Sequence, residues 1–187
     1  MGNRGRIRKI ALAITLPAVV LVAVLATRNS VTAGSLVQSD LGGKTAPAIT
    51  GTDILDGKPV SLDAMLKGHK YVFLDFFASW CITCQQDMAQ LEAFQFHYGK
   101  VASILGVDID DSTADGASFL RSYGAHWPAV EDSKGANSIS VAYGVSSPPE
   151  IFLVAPDRKI FAYFTGGATE KQLAEALSTV EKDYSKR

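Results

Sequence analysis

Cysteine is nearly missing from this chain: among 187 residues there are two, Cys81 and Cys84. That scarcity excludes a disulfide-stapled scaffold. With no second cysteine pair, and with His69, His97 and His126 scattered singly, a zinc site is the weaker reading of the pair. The haem-attachment signature Cys-x-x-Cys-His is absent too, because Gln85 follows. Acidic residues are missing from the first 39 positions; all 19 lie from Asp40 onward. Beyond Arg28 the balance is thirteen basic against 19 acidic residues, a net charge of −6, which leaves no nucleic-acid face. No internal repeat is visible.

The amino-terminal segment is the reverse case, since it has positive charge and then none at all. Arg4, Arg6, Arg8 and Lys9 precede an uncharged run from Ile10 to Thr27, closed by Arg28. The run is longer than a usual signal-peptide core and nearly spans a bilayer. An uncleaved signal anchor over residues 1–27 is the favoured expectation, and a cleaved signal peptide the alternative. Either way the basic flank stays cytoplasmic and the remainder is exported. Residues 28–45 are poor in large apolar side chains and read as a flexible tether. The folded domain is expected over 46–187.

Within that domain the two cysteines stand where a strand hands over to a helix. Tyr71 to Phe77 is a continuous apolar run broken only by Asp75, and Met88, Leu91, Phe94 and Tyr98 recur at helical spacing afterwards. Cys81 thus falls at or just before the first turn of a helix, where unpaired N–H groups and the helix dipole stabilise a thiolate. A thiolate is the nucleophile of disulfide exchange, so Cys81 is the attacker and Cys84, one turn on, resolves the mixed disulfide. A purely structural bridge is the duller alternative, but closing two intervening residues constrains the unfolded chain little.

The remaining pattern predicts short strands around Asp56-Gly57, a brief helix capped by Ser61, and a strand over 101–107. Helices over 112–123 and 138–143 follow, then a hairpin of 151–154 and 160–164 and a last helix capped by Thr169. Asp108 to Asp111 lacks the glycine and distal glutamate of a calcium loop, and reads as a solvated loop capping the next helix. The order predicts an α/β fold, a mixed sheet with helices on both faces and an N-terminal strand extension. Chemistry in such sheets gathers beyond the carboxyl ends of parallel strands, where Cys81 falls.

Phe-Ala-Ser-Trp-Cys81-Ile-Thr-Cys84, Asp56-Gly-Lys-Pro-Val-Ser-Leu62 and Tyr143-Gly-Val-Ser-Ser-Pro-Pro149-Glu-Ile-Phe152 occur in that set in one order along the chain. Together they resemble the TlpA/ResA/CcmG-like, membrane-tethered branch of the thioredoxin superfamily, over about residues 44–180. The resemblance implies a thioredoxin-like fold and a thiol–disulfide oxidoreductase needing no metal, flavin or nucleotide. It implies a cis-proline at Pro149 facing the dithiol and a substrate-binding surface of Trp80, Pro148, Pro149 and Glu150. Asp75 matches the buried acid of cytoplasmic thioredoxins, and Asp87 stands where ResA-like proteins carry glutamate. Both are therefore candidate catalytic acids.

The sequence departs from that pattern at Asp75, where TlpA-like proteins often carry asparagine, at Asp87, and in two further places. Pro148 lacks the backbone N–H that relatives offer a bound strand, and Ala89 replaces a helix-kinking proline. The implied partners are a disulfide-containing exported protein such as an apocytochrome c, and a membrane dithiol donor. An exported oxidant and a tethered non-catalytic binding module are the rival functions.

Overall fold

The computed structural model describes residues 42–68, 71–133 and 135–186. The run from Ile10 to Thr27, and with it the expected anchor and most of the tether, lies outside the described residues. Among the described residues no helix is long and apolar enough to cross a membrane.

Two short antiparallel strands come first, β1 (Thr50–Thr52) and β2 (Pro59–Ser61). Gly57, with φ 76°, turns the chain between them, and Asp56 Oδ1 accepts the Lys58 N–H at 2.9 Å. This is the expected hairpin. α1 (Leu62–Gly68) follows, and Ser61 Oγ accepts the Ala64 N–H at 3.2 Å. Then come β3 (Tyr71–Phe77), α2 (Ile82–Tyr98), β4 (Ala102–Asp108), α3 (Thr113–Ser122) and β5 (Ala129–Glu131). α4 (Ile139–Tyr143), β6 (Glu150–Val154), β7 (Ile160–Thr165) and α5 (Glu170–Tyr184) complete the chain.

The main sheet has the order β5-β4-β3-β6-β7. β3, β4 and β5 are parallel, while β6 and β7 run antiparallel to their neighbours. β3 is central, and all seven of its residues are buried. It reads as a continuous apolar run because both of its faces are covered. On one face Phe73, Phe77, Ile104, Ile151 and Leu153 pack under α2, α3 and α5. On the other, Val72, Leu74, Phe76, Leu105 and Phe152 pack under α1 and α4. Each large side chain buried this way stabilises the fold by roughly 1.5–3 kcal/mol before its loss of entropy. The mixed sheet with helices on both faces is what the element order predicts, and the fold is thioredoxin-like, as the resemblance implies.

The chain just ahead of β1 is stitched to the start of β7. Gly43 N donates to Ile160 O, Ile160 N to Lys44 O, and Ala46 N to Arg158 O, at 2.7–3.0 Å. Thr45 and Lys159 form an antiparallel bridge there.

Candidate active site

β3 ends at Phe77, and four residues, 78–81, separate it from the start of α2 at Ile82. The turn between them is held by hydrogen bonds from a second loop, the one that leaves β4. Asp111 Oδ2 accepts the Ser79 N–H at 2.7 Å, and the Trp80 indole N–H donates to Asp110 O at 3.2 Å. Asp110 has φ 52°, a left-handed conformation that costs a non-glycine residue energy. Trp80 is left 57% exposed beside the cysteines.

This corrects the expectation of a merely solvated loop over Asp108 to Asp111. Ser112 is the cap of α3, its Oγ accepting the Asp115 N–H. Asp111 clasps the cysteine turn instead. Asp108 is 1% exposed, its side chain on the sheet, with both carboxyl oxygens unpartnered. A Cβ on Gly116 of α3 would overlap that carboxyl. Burial and the charges of Asp111, Glu131 and Asp115 push its pKa up to about 8. Alternation along a seven-residue strand carries an aspartate into the interior as readily as a valine, which composition alone does not reveal.

Cys81 is the N-cap of α2, in extended conformation, and its Sγ accepts the Cys84 N–H at 3.1 Å. Cys81 and Cys84 are joined in a disulfide, their Cα atoms 5.2 Å apart. Burial does not separate them, since Cys81 is 5% exposed and Cys84 3%. The helix end does: Cys81 Sγ takes the place of an N-cap oxygen and receives an otherwise unpaired N–H. The same donor is present for a thiolate at that sulfur when the pair is reduced.

Two carboxyls stand on the elements that flank and carry the pair, β3 and α2. Asp75, in the middle of β3, is 2% exposed and shares its face with Phe73 and Phe77. Burial, reinforced by the charge of Asp87, raises its pKa to about 7. Asp87 lies on α2 one turn past Cys84 and is half-buried, with Oδ2 covered and unpartnered. Burial raises it to about 6. A carboxyl titrating near neutrality can accept a thiol proton and return it.

The Pro148–Pro149 bond is cis. Pro149 is buried and Pro148 half-buried, and Pro149 O accepts the Gly166 N–H at 3.0 Å. Glu150 is not brought to this cluster by its side chain. It pairs with Phe76 across the β3–β6 ladder, which puts it on the face away from Asp75, and its Oε2 accepts the Tyr163 hydroxyl at 2.5 Å. Gly166 and Gly167, at φ 73° and 89°, make a turn that sequence reading passed over. A Gly-Gly pair directly after the last strand was the available signal.

The dithiol site on this frame has known counterparts. Residues 41–181 match the Redoxin family model. The chain belongs to that family. The ResA thiol-disulfide oxidoreductase of Bacillus anthracis is 34% identical over 139 residues, covering 74% of this chain and 78% of the relative. The Bacillus subtilis ResA is 30% identical over 154 residues, 82% of each chain. Among solved structures, the thioredoxin domain of a thiol-disulfide oxidoreductase from Bacteroides vulgatus superposes with a TM-score of 0.63 at 31% identity. It covers 77% of this chain and 98% of that one. A thiol:disulfide interchange protein from Bacteroides sp. gives 0.58 at 31% identity, with 65% and 80% covered. This redoxin is therefore a thiol–disulfide oxidoreductase of the TlpA/ResA/CcmG-like branch of the thioredoxin superfamily.

Proposed function

We propose that this redoxin works outside the cytoplasmic membrane as a reductant of disulfides in exported proteins. The observation that carries the direction of attack is Cys81 Sγ at the N-cap of α2, accepting the Cys84 N–H. Reduced Cys81 attacks one sulfur of the client disulfide and expels the other as a thiolate, which takes up a proton. Cys84 then loses its proton to a carboxyl and attacks Cys81 Sγ, and the second client thiolate leaves and is protonated. The client has gained two electrons and two protons, and the Cys81–Cys84 disulfide remains, to be reduced by a membrane dithiol donor.

Asp75 is the acceptor for the Cys84 proton, with Asp87, half-buried and coupled to it, as the outer carboxyl through which the proton reaches water. Trp80 and the Pro148–Pro149 loop form the surface on which the client chain lies, with Glu150 behind it as a support bound to Tyr163. The basic flank, the uncharged run from Ile10 to Thr27 and the acidic remainder support export behind an anchor over 1–27 and a tether over 28–45. By resemblance to the branch, an apocytochrome c whose haem-binding cysteines have oxidised is the preferred client.

Trapping tests the reading. The Cys84→Ala protein, expressed full length, should accumulate a mixed disulfide between Cys81 and an exported protein, and Cys81→Ala should not. Capture through Cys84 instead, or of cytoplasmic proteins alone, would refute it. The reduction potential decides between reductant and oxidant. A value near the roughly −270 mV of thioredoxin fits the reductant, and one near the roughly −120 mV of a strong periplasmic oxidant reverses the direction.

A further inference from the structure

We infer that Gly167 is a positioning residue for the proton transfer, its missing side chain forming the seat that fixes the Asp87 carboxyl one turn beyond Cys84. The inference rests on the proton route proposed above.

Asp87 is an odd residue to bury. Its Oδ2 has no hydrogen-bond partner, so no donor directs the carboxyl. Contact must do so. A Cβ on Gly167 would overlap Oδ2, Cγ and Oδ1 of Asp87, which means that the carboxyl lies flat against the glycine backbone. Gly167 has φ 89° and Gly166 φ 73°, a pair of left-handed residues that only glycine adopts cheaply.

The seat is fixed at both ends. On one side Gly166 N donates to Pro149 O at 3.0 Å, tying the turn to the cis-proline loop. On the other, Thr169 and Gln172 form a capping box at the start of α5, and Glu170 N donates to Gln90 Oε1 at 3.0 Å. Gln90 lies three residues beyond Asp87 on α2, so the same seam that aligns α2 with α5 sets the height of Gly167 against the carboxyl.

Few other groups reach Asp87. From β3 it faces Asp75, whose pKa its charge raises. On its own helix Cys84, one half of the disulfide, lies one turn back. On α5 the nearest acid is Glu170, whose carboxylate is taken by His97 at 2.6 Å. Residues 166–169 carry no titratable side chain. Asp87 thus keeps unengaged lone pairs in a fixed place, half in water and coupled to an acid that is itself shut off from water. Those are the requirements of the outer member of a proton route.

The test uses the full-length protein with Gly167→Ala. The Asp87 carboxyl titration, followed by 13C NMR, should fall from about 6 towards the ordinary aspartate value of 3.8 as the group is pushed into solvent. Release from the mixed disulfide at pH 7 should slow about tenfold, with its pH profile shifted the same way. In an Asp87→Ala background the alanine at 167 should cost no further rate. A midpoint that stays put, or a slowing that persists without Asp87, overturns the inference.

Failure of the underlying route looks different. If Asp87→Asn leaves release unchanged, the route fails, and the positioning role with it, even if the midpoint moves. Alanine at φ 89° is strained in any background. Should the single variant not fold, recovery of folding in Asp87→Ala/Gly167→Ala supports the overlap; Gly166→Ala, equally left-handed but with open space at its Cβ, should keep the Asp87 midpoint, and a midpoint that moves there as well refutes the inference.

Discussion

Asp75 on the central strand stands close enough to Asp87, on the helix that covers it, for the charge of Asp87 to add to burial in lifting Asp75 to about 7. The proton route proposed above calls for an acid that can take up and return a proton as the pair reacts. Two coupled carboxyls supply that near neutral pH.

Asp75→Asn should stabilise the protein, and the gain should depend on pH in a defined way. The folded pKa is raised, so the contribution to stability is complete below the unfolded value near 3.8 and is lost as pH climbs through about 7. The asparagine variant has no such loss. Its advantage should be absent near pH 4 and reach on the order of 3 kcal/mol above pH 7. Denaturant unfolding at several pH values measures it. Release from the mixed disulfide should meanwhile slow 10-fold to 100-fold. If neither changes while Asp87→Asn slows release, Asp87 is the sole acceptor.

Asp108→Asn separates a structural acid from a catalytic one. Its carboxyl is also raised by burial, to about 8, so the asparagine variant should gain stability between about pH 4 and 8. Asp108 lies against Gly116 of α3, and neither Asp75 nor Asp87 is among the charges that shift it. Release should therefore keep its wild-type rate. A slowed release would place Asp108 on the proton route.

Asp111→Ala should loosen the cysteine turn. It removes the acceptor of the Ser79 N–H at 2.7 Å and of the Ser112 N–H at 2.9 Å. Stability should drop by about 1–2 kcal/mol. Acrylamide should quench Trp80, already 57% exposed, more strongly, while Trp127 stays shielded. Unchanged quenching would mean that the indole bond to Asp110 O holds the turn alone.

Pro148→Thr restores a backbone N–H next to the cis bond. One added interstrand hydrogen bond is worth about 1 kcal/mol, so a trapped client peptide should bind roughly fivefold tighter. Competition with a cysteine-free peptide would show it. An unchanged affinity would move the client off this loop.

The elements were legible because each announces itself locally. Ser61, Ser138 and Thr169 stand where their side chains cap α1, α4 and α5, and Asp56-Gly57 makes its turn without help from afar. β3 and β4 are buried on both faces and so read as unbroken apolar runs. The cysteines and Asp75 were readable for the same reason, from position at a strand end and within a strand. What escaped depends on contacts between distant segments. Glu150 follows the cis-proline in sequence, yet strand alternation turns it to the far face towards Tyr163. Asp111 reaches Ser79 across 32 positions, and Gly167 reaches Asp87 across the α2–α5 seam. No local spacing encodes either meeting.

β7 closes one side of the sheet, and an unguarded outer strand invites another chain to pair with it. The hydrogen bonds of Gly43, Lys44 and Ala46 to the start of β7 occupy part of that row. Gly43 to Ala46 thus fill the outer hydrogen-bonding row at the start of β7 that another chain would otherwise find open. A version of the domain trimmed to begin at Ala46 would keep its dithiol and its core, but would leave that stretch of backbone open to stack with its own copies.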